Sequence, residues 1–395
     1  MAPPERMALL LLRGEQFALA SLYIHIPFCE RKCLYCDFYS ITDLSVKPAF
    51  LEALSTEISA ADPESFIFDT LYIGGGTPSI LEPAEVAAII DGVFSKFRFK
   101  QPVEVTLEAN PGTVDIRKLR GFRSAGVNRL NIGVQSFQNK NLEMLGRIHT
   151  GGQAHAALAN ARRAGFEEIG LDLIYGLPGQ ILQEWSTDLE TALAHEPEHI
   201  ACYMLTVEPA TLLAEAQAAG RFQAAPEEAV ADLFLATSEF LTANGFQHYE
   251  ISNFARIGVE GIACTSRHNR KYWTHTAYLG FGPAAHSFLP PKRFWNHRDV
   301  QGYVAALKGG RRAVWGEETL TAEQEMMEAL MLGLRTATGI DLKEYQKRFG
   351  VDFRQAHGAA AAELQSQGLL HLEDGRCAPT LQGMLYINTV TAALV

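Results

Sequence analysis

Three cysteines within eight residues carry the clearest chemical signal in the sequence. Cys29, Cys33 and Cys36 follow the spacing C-x3-C-x2-C, directly after an apolar run (residues 22–28) that is typical of a buried strand. Thiolates are preferred ligands of zinc and iron–sulfur centres, and a short loop with these intervals can wrap around one such centre. An iron–sulfur cube normally takes four cysteines. Three would therefore leave one iron open to a further ligand.

Other interpretations of the cysteine cluster were weighed. A zinc site would need a fourth ligand, and neither His25 nor Asp37 has the usual spacing of a zinc finger. Disulfides are disfavoured because three clustered cysteines cannot pair among themselves and no secretion signal precedes them. The spacing favours an iron–sulfur centre, and a zinc-stabilised binding protein stays open as an alternative.

Length and composition narrow the classes of protein. A chain of 395 residues exceeds one typical core, so we expect one large domain and a smaller one. The net charge of −11 argues against a general nucleic-acid-binding protein. Only three of the six cysteines cluster, which suits a reducing cytoplasm. No apolar stretch approaches the length that spans a bilayer, so we expect no stable membrane insertion.

Apolar strands alternate with helices through the first two thirds of the chain. We predict six strands, which begin near Leu22, Thr70, Val103, Arg129, Ile169 and His199. This alternation predicts an α/β fold with a parallel sheet. Because six units fall two short of the usual eight, the expected fold is a partial, open (βα)6 TIM-like barrel.

The predicted strands end in residues that a merely structural strand would not need. These are the cysteine loop, Gly74-Gly75-Gly76-Thr77, Glu108-Ala109-Asn110, Gln135-Ser136, Asp172 and Glu208-Pro209. In parallel α/β folds the carboxyl ends of the strands form one rim, where active sites are built. One such strand end would pass for an ordinary turn, but six together favour a functional rim. The three glycines would let a polar ligand group approach the backbone closely.

The combination of motifs resembles the radical S-adenosylmethionine family. The cysteine loop has an aromatic residue, Tyr35, before its last cysteine, as in that family. Further segments are similar to its coproporphyrinogen-oxidase-like branch: Tyr23-x-His25-x-Pro27-Phe28-Cys29, the glycine turn, and residues 107–111, 133–136 and 172–178. The similarity runs from the first predicted strand to the C-terminus.

The resemblance implies a [4Fe–4S] cluster on Cys29, Cys33 and Cys36. S-adenosylmethionine would bind the open iron through its amino and carboxylate groups, and a one-electron reductant would then release a 5′-deoxyadenosyl radical. The matching positions also imply which residues contact S-adenosylmethionine. Its methionine end would contact Gly75, Gly76 and Thr77, and its ribose or carboxylate would contact Glu108, Gln135, Arg147 and Asp172. Tyr23 and Tyr35 would pack near the cluster and the adenosine. From the residues alone, Arg147 fits a solvated helix end equally well.

Two departures separate this chain from the oxygen-independent coproporphyrinogen III oxidases of the same branch. Those enzymes carry another cysteine two positions after the third, where this chain has Phe38. They also have a long N-terminal extension that is missing here. Oxidative decarboxylation of coproporphyrinogen III is therefore the less favoured alternative, and no catalytic residue is assigned.

The second half of the sequence points to heme. His268-Asn269-x-x-Tyr272-Trp273 resembles the motif of the HemW-type heme chaperones, which bind heme and pass it to other proteins. An imidazole can ligate heme iron. Between residues 255 and 300 basic residues outnumber acidic ones, in a chain that is acidic overall, and this suits a dianionic porphyrin. Read without the resemblance, His268 and Asn269 are better explained as a structural pair. The axial ligand stays open among His268, His286 and Cys264.

Element order and resemblance together divide the chain. We expect an N-terminal extension (1–18), a radical S-adenosylmethionine partial barrel (19–245), a connecting segment with the heme motif (246–310) and a winged-helix-like α+β domain (311–395). In the last of these, Thr321-x-x-Gln324 resembles a capping box, and Asp374-Gly375 predicts a hairpin turn. The expected partners of this cytoplasmic protein are heme, heme-accepting proteins such as membrane cytochromes, and a one-electron reductant, but no nucleic acid.

Overall fold

Six parallel strands form the centre of the protein, as the sequence predicts. The computed structural model describes residues 18–62 and 66–395, so the predicted extension lies outside the described residues except for Ala18. The parallel strands are β1 (Ala18–Ile26), β2 (Phe66–Gly75), β3 (Phe99–Ala109), β4 (Arg129–Gln135), β5 (Glu168–Tyr175) and β6 (His199–Met204). The helices between them are α1 (Lys47–Ala60), α2 (Pro83–Lys96), α3 (Ile116–Ser124), α4 (Asn139–Met144), α5 (Gly151–Arg163) and α6 (Leu182–Leu193).

Strict alternation along the strands separates an apolar face from a polar face. On β1, Leu22, Ile24 and Ile26 are fully buried in the main hydrophobic core, which also contains residues of α1 and α2. Side chains on a strand alternate between faces, so Tyr23 and His25 lie on the opposite face. Register continues this polar face across the sheet, since Tyr23 pairs with Tyr72 on β2. The alternating pattern therefore buries one face under helices and leaves the other to line a polar interior.

The segment expected to connect two domains (246–310) adds strands to both ends of the sheet, and a strand from the expected C-terminal domain lengthens one end further. Beyond β6 lie β8 (Asn253–Arg256) and β7 (Phe246–Glu250); beyond β1 lie β9 (Tyr278–Phe281), β10 (His286–Leu289), β11 (Lys292–Asn296) and β12 (Val314–Thr319). The helices between β6 and β12 are α7 (Leu212–Ala218), α8 (Glu227–Ala243), α9 (Arg267–Trp273) and α10 (Val300–Lys308). The twelve strands run from β12 to β7 without closing, which confirms the open, partial barrel.

A smaller α+β unit follows the sheet and begins after β12, a strand that the predicted bounds of 311–395 would place in the C-terminal domain. It contains α11 (Ala322–Gly333), α12 (Leu342–Phe349), α13 (Phe353–Ser366), α14 (Leu381–Leu385), α15 (Ile387–Leu394) and the strands β13 (Ile340–Asp341), β14 (Leu370–Glu373) and β15 (Arg376–Pro379). The capping box of Thr321 and Gln324 is present, and Asp374 and Gly375 form the hairpin turn between β14 and β15. The unit has its own hydrophobic core. Among the described residues, no helix combines the length and hydrophobicity that crossing a membrane requires.

Candidate cofactor site at the carboxyl ends of the strands

The cysteine loop is closed at its base and presents three sulfurs at the rim. The backbone N–H of Cys29 donates to the carbonyl of Ile41 (2.9 Å), and the N–H of Ile41 donates to the carbonyl of Pro27 (2.8 Å). These bonds tie the two ends of the loop together next to the end of β1. All three cysteines are free thiols and partly exposed. A loop fixed in this way suits a metal centre held by several thiolates.

Two side chains from other parts of the chain, one after β2 and one after α4, donate hydrogen bonds to these sulfurs. The hydroxyl of Thr77 lies 3.4 Å from Sγ of Cys29, and Nη1 of Arg147 lies 3.4 Å from Sγ of Cys33. Nη2 of Arg147 donates to the carbonyl of Gly133 (2.7 Å), which fixes the guanidinium inside the site and away from bulk solvent. Hydrogen bonds to sulfur and a nearby cation stabilise thiolate ligands and tune iron–sulfur clusters.

The donor set fits an iron–sulfur cluster. Three thiolates lie in one loop with hydrogen-bond donors beside two of them, and each cysteine of a cube binds its own iron. Among the described residues, no three His, Cys, Asp or Glu side chains converge closely enough to hold a single metal ion.

His25 holds the cysteine loop against β1. Its Nε2 lies 2.9 Å from the carbonyl oxygen of Tyr39, and its Nδ1 lies 3.1 Å from the hydroxyl of Tyr23. Burial lowers the pKa of His25 to about 4, so the ring is neutral at neutral pH. Both ring nitrogens are engaged, which makes His25 an orienting residue of the loop.

The glycine turn after β2 packs so tightly that side chains are excluded. A Cβ on Gly76 would lie 2.6 Å from the carbonyl oxygen of Phe28, and a Cβ on Gly75 would lie 2.7 Å from the ring of His25. Gly75 also has φ of 112°, which L-residues with side chains rarely adopt. The turn therefore brings its backbone N–H groups directly beside the cysteine loop.

Two carboxylates lie on the polar face of the sheet. Glu108 accepts hydrogen bonds from the hydroxyl of Tyr72 (2.7 Å) and the backbone N–H of Gly75 (3.1 Å). Asp172 accepts from Nδ2 of Asn131 at 3.0 and 2.9 Å. Removal from water disfavours the charged form, and it raises the pKa of Glu108 to about 7 and that of Asp172 to about 6. Both groups are therefore sensitive to pH near neutrality.

A cavity of about 670 Å³ joins these elements. The predicted site residues that line it are Tyr35, Cys36, Gly75, Gly76, Thr77, Glu108, Gln135, Arg147 and Asp172. Tyr23 is absent from this lining and lies behind it, with its ring 6.2 Å from that of Tyr72. The polar side chains of this lining, together with its apolar residues Ile174 and Leu205, suit a zwitterionic nucleoside such as S-adenosylmethionine.

Gln135 supplies an unpaired acceptor in this cavity. Its Oε1 is buried and has no hydrogen-bond partner in the described part of the chain. The residue also has φ of 68°, a left-handed conformation that costs energy in residues other than glycine. A buried polar atom without a partner is destabilising unless a ligand or water satisfies it. Gln135 thus fits a role in ligand binding.

Several lining residues were missed by sequence reasoning. These are Asn131, His199, Tyr203, Met204 and Asn253. Asn131 could have been found, because it lies two residues before Gly133 and four before Gln135 and therefore belongs to the same face of β4. Asn253 gave no signal, since it reaches the cavity only because β8 pairs with β6.

His268, the predicted heme contact, is buried beneath the polar face. Its Nδ1 lies 3.0 Å from the hydroxyl of Thr70, and its Nε2 lies 3.0 Å from the hydroxyl of Tyr272. Burial lowers its pKa to about 3. Ligation of iron by His268 would require one ring nitrogen to give up its partner. His286 is exposed, and Cys264 is partly exposed.

Comparison with known proteins identifies the family. Residues 23–192 match the radical SAM superfamily, and residues 320–386 match the HemN C-terminal domain. A protein of Bacillus subtilis named heme chaperone HemW is 34% identical over 95% of this chain and 99% of its own length. The chain belongs to the HemW family of radical SAM proteins. A mitochondrial radical S-adenosyl methionine domain-containing protein of Bos taurus is 33% identical over 95% of this chain and 87% of its own length.

The fold of this HemW-family chain is shared with a solved oxidase. Coproporphyrinogen III oxidase from Escherichia coli superposes with a TM-score of 0.82 over 98% of this chain and 93% of its own length, at 23% identity. Phe38 is 71% exposed and lines the cavity at its mouth. An exposed aromatic ring therefore occupies the position at which the oxidases of this branch are expected to carry a further thiol.

Proposed function

We propose that this protein is a heme chaperone, which binds heme and transfers it to acceptor proteins. The observation that carries the proposal is the 34% identity to heme chaperone HemW over 95% of the chain. Phe38 supports it, because a phenyl ring cannot supply the extra thiol of the oxidases. The three remaining cysteines offer no substitute: Cys202 and Cys377 are buried, and the partly exposed Cys264 lies near Arg129 and Glu168, at the amino ends of β4 and β5 and so opposite the rim.

The proposed resident cofactors are a [4Fe–4S] cluster and S-adenosylmethionine. Cys29, Cys33 and Cys36 would bind the cluster, with Thr77 and Arg147 donating to two of the sulfurs. When bound, the pair supplies one-electron chemistry at the cluster. The residues proposed to hold S-adenosylmethionine are Gly75, Gly76, Thr77, Glu108, Gln135, Arg147 and Asp172 in the cavity lining, with Tyr35 beside the cluster and Tyr23 supporting the lining from behind.

The proposed setting is the cytoplasm, with heme-accepting proteins and a one-electron reductant as partners. Membrane cytochromes are suitable acceptors because they need heme delivered to them. The net charge of −11 fits the absence of a nucleic-acid partner. Heme is cargo in this account, so its site should release it and need not lie in the deep cavity.

We expect the anaerobically reconstituted protein to bind hemin saturably. Titration should shift the Soret band, because a protein ligand replaces water on the iron. Iron-free protoporphyrin IX serves as the control, and it should bind more weakly because it can accept no axial ligand. A linear, unsaturable response to hemin, equal to that for the iron-free ring, would contradict the proposal.

A further inference from the structure

Two histidines and two tryptophans form a surface cluster beside the cysteine loop. We call this cluster the edge platform: His286 on β10, Trp295 on β11, His297 directly after β11, and Trp315 on β12. All four lie on or next to the last three strands at the β12 end of the sheet, which β9 separates from β1. None of them lines the cavity that contains Glu108 and Asp172.

Strand register brings the four rings together on one face. His286 and Trp295 are direct partners across β10 and β11, and their rings stack at 5.8 Å with planes 24° apart. His297 lies two residues after Trp295, so the two share a face. The rings of His297 and Trp315 lie 4.8 Å apart.

A β-bulge and a glycine shape the platform. Trp295 pairs with Gly316 but Asn296 pairs with Val314, so Trp315 is the extra residue of the bulge. Bulges re-aim side chains at sheet edges. A Cβ on Gly316 would lie 2.6 Å from the Trp295 ring, which therefore lies flat over the strand. The indole fixes the orientation of the His286 ring by stacking on it.

The exposure of the platform is not explained by packing. Trp315 is 70% exposed, although it is one of only four tryptophans in the chain. His286 is also exposed, and within the described residues its ring nitrogens have no hydrogen-bond partner. Clustered exposed aromatic rings usually mark a binding surface. An imidazole with a free nitrogen next to an apolar surface is a heme-ligating arrangement.

One exposed cation lies beside the platform. Arg298 is 70% exposed, donates from Nη2 to the backbone carbonyl of Asp37 in the cysteine loop (3.3 Å) and lies 3.8 Å from the Asp37 carboxylate. Arg293 shares a face with Trp295 but is paired with Glu318 and Glu328. Lys292 alternates with these residues on β11, and Arg312 lies over the ring of Phe294 (5.7 Å), so both belong to the opposite face. Arg298 is thus the cation available to a carboxylate of a ligand, since its exposed ion pair with Asp37 is weak and guanidinium groups bind carboxylates in a bidentate manner.

We propose that the edge platform binds the heme, with His286 as the axial ligand. Trp295 orients the imidazole, Trp315 offers apolar surface to the macrocycle, and Arg298 binds a propionate. This inference rests on the proposed function and specifies where the cargo lies. It places the heme on the surface of the protein beside the cysteine loop. A heme at the surface can be released, and His268 then serves as a buried structural residue.

The test is hemin titration of the reconstituted full chain and its variants. We expect His286→Ala to weaken hemin binding by at least about tenfold. Removing a residue that only hydrogen-bonds to a metal-ligating histidine already lowers metal affinity by about tenfold or more. His371→Ala, an exposed histidine on β14, is the matched control and should bind as the wild type does. Arg298→Glu should weaken binding of hemin but leave binding of hemin dimethyl ester unchanged, because the ester lacks the propionate charges.

The outcomes separate the location of the site from the function. If the wild type does not bind hemin, the chaperone proposal fails. A second outcome is that the wild type binds hemin and that His286→Ala and the double variant His286→Ala/His297→Ala bind it as tightly. In that case the edge platform is not the heme site, but the proposal of a heme chaperone is unaffected. Loss of binding in a folded His268→Gln variant, with His286→Ala unaffected, would also overturn the inference and place heme on the buried motif.

Discussion

Replacing Cys33 with alanine should remove the cluster almost completely. The three sulfurs lie in one closed loop, so an alanine leaves two thiolates, which is too few to hold a four-iron cube. It also removes the sulfur that lies 3.4 Å from Nη1 of Arg147, which leaves this guanidinium only the Gly133 carbonyl and the Tyr35 hydroxyl as acceptors. Iron and sulfide analysis after anaerobic reconstitution should fall from four of each per chain to near zero, and the broad visible absorption that dithionite bleaches should disappear.

Cys264→Ala is the matched control for this prediction. Cys264 is a partly exposed cysteine outside the loop, so its variant should keep full iron content. Hemin binding gives a second readout, because the edge platform contains no cysteine and Cys33→Ala should retain it. Full iron content in Cys33→Ala would show that another set of residues holds the metal.

Replacing Glu108 with alanine should weaken binding of S-adenosylmethionine by roughly 10–100-fold, the range for hydrogen bonds to a charged group. The carboxylate organises its surroundings as well, since Tyr72 and the backbone N–H of Gly75 both donate to it. Without it these two buried donors are unpaired, each at a cost of about 1–3 kcal/mol in stability. Glu108→Gln keeps one acceptor oxygen and should therefore lose less affinity for S-adenosylmethionine and less stability.

Equilibrium dialysis with S-adenosylmethionine, together with thermal unfolding, measures the two effects of Glu108→Ala. Glu143→Ala changes an exposed carboxylate on α4 and should affect neither. Unchanged affinity in a folded Glu108→Ala variant would remove Glu108 from the cofactor site.

The same carboxyl should make cofactor binding depend on pH. Burial raises the pKa of Glu108 to about 7. The ionised form therefore predominates only above that pH, and a positively charged sulfonium ligand favours this form. Affinity in the wild type should fall as the pH is lowered through about 7, and this part of the pH dependence should be absent in Glu108→Gln.

The rim of the barrel was predictable because it rests on two local patterns. Strands that alternate with helices place their carboxyl ends together, and this brings Cys29, Gly75, Glu108 and Asp172 to one side of the sheet. None of these residues needs a long-range contact to be found. Their grouping confirms the expected architecture, while the role of each residue stays a prediction.

The outer strands could not be predicted in the same way. β1 pairs with β9, with Tyr23 opposite Gly280, although these residues are far apart in sequence. The strands β9 and β10 have only four residues each, too few for a clear periodic pattern. The edge platform depends on these pairings and on a bulge at Trp315. Sequence reasoning therefore identified His286 only as one of three possible ligands.

His268 illustrates the opposite case, in which a motif is visible and its geometry is not. The motif places His268 and Tyr272 one helical turn apart, and in the structure each is the other's hydrogen-bond partner (3.0 Å). The residues alone favoured a structural pair of His268 with Asn269, whereas the resemblance favoured contact with heme. In the structure His268 bonds to Thr70 and Tyr272, and Asn269 lines the cavity. That His268 is buried beneath Thr70 and Tyr72 could be learned only from the folded structure.

The most direct test of the account is heme transfer under anaerobic conditions. The reconstituted protein, loaded with hemin, is mixed with apomyoglobin as the acceptor, while a parallel sample receives coproporphyrinogen III, S-adenosylmethionine and dithionite. We predict that the Soret band of holomyoglobin appears, and that coproporphyrinogen III is not converted. Conversion to protoporphyrinogen that Cys33→Ala abolishes, with no heme reaching apomyoglobin, would contradict the account and identify the protein as an oxidase.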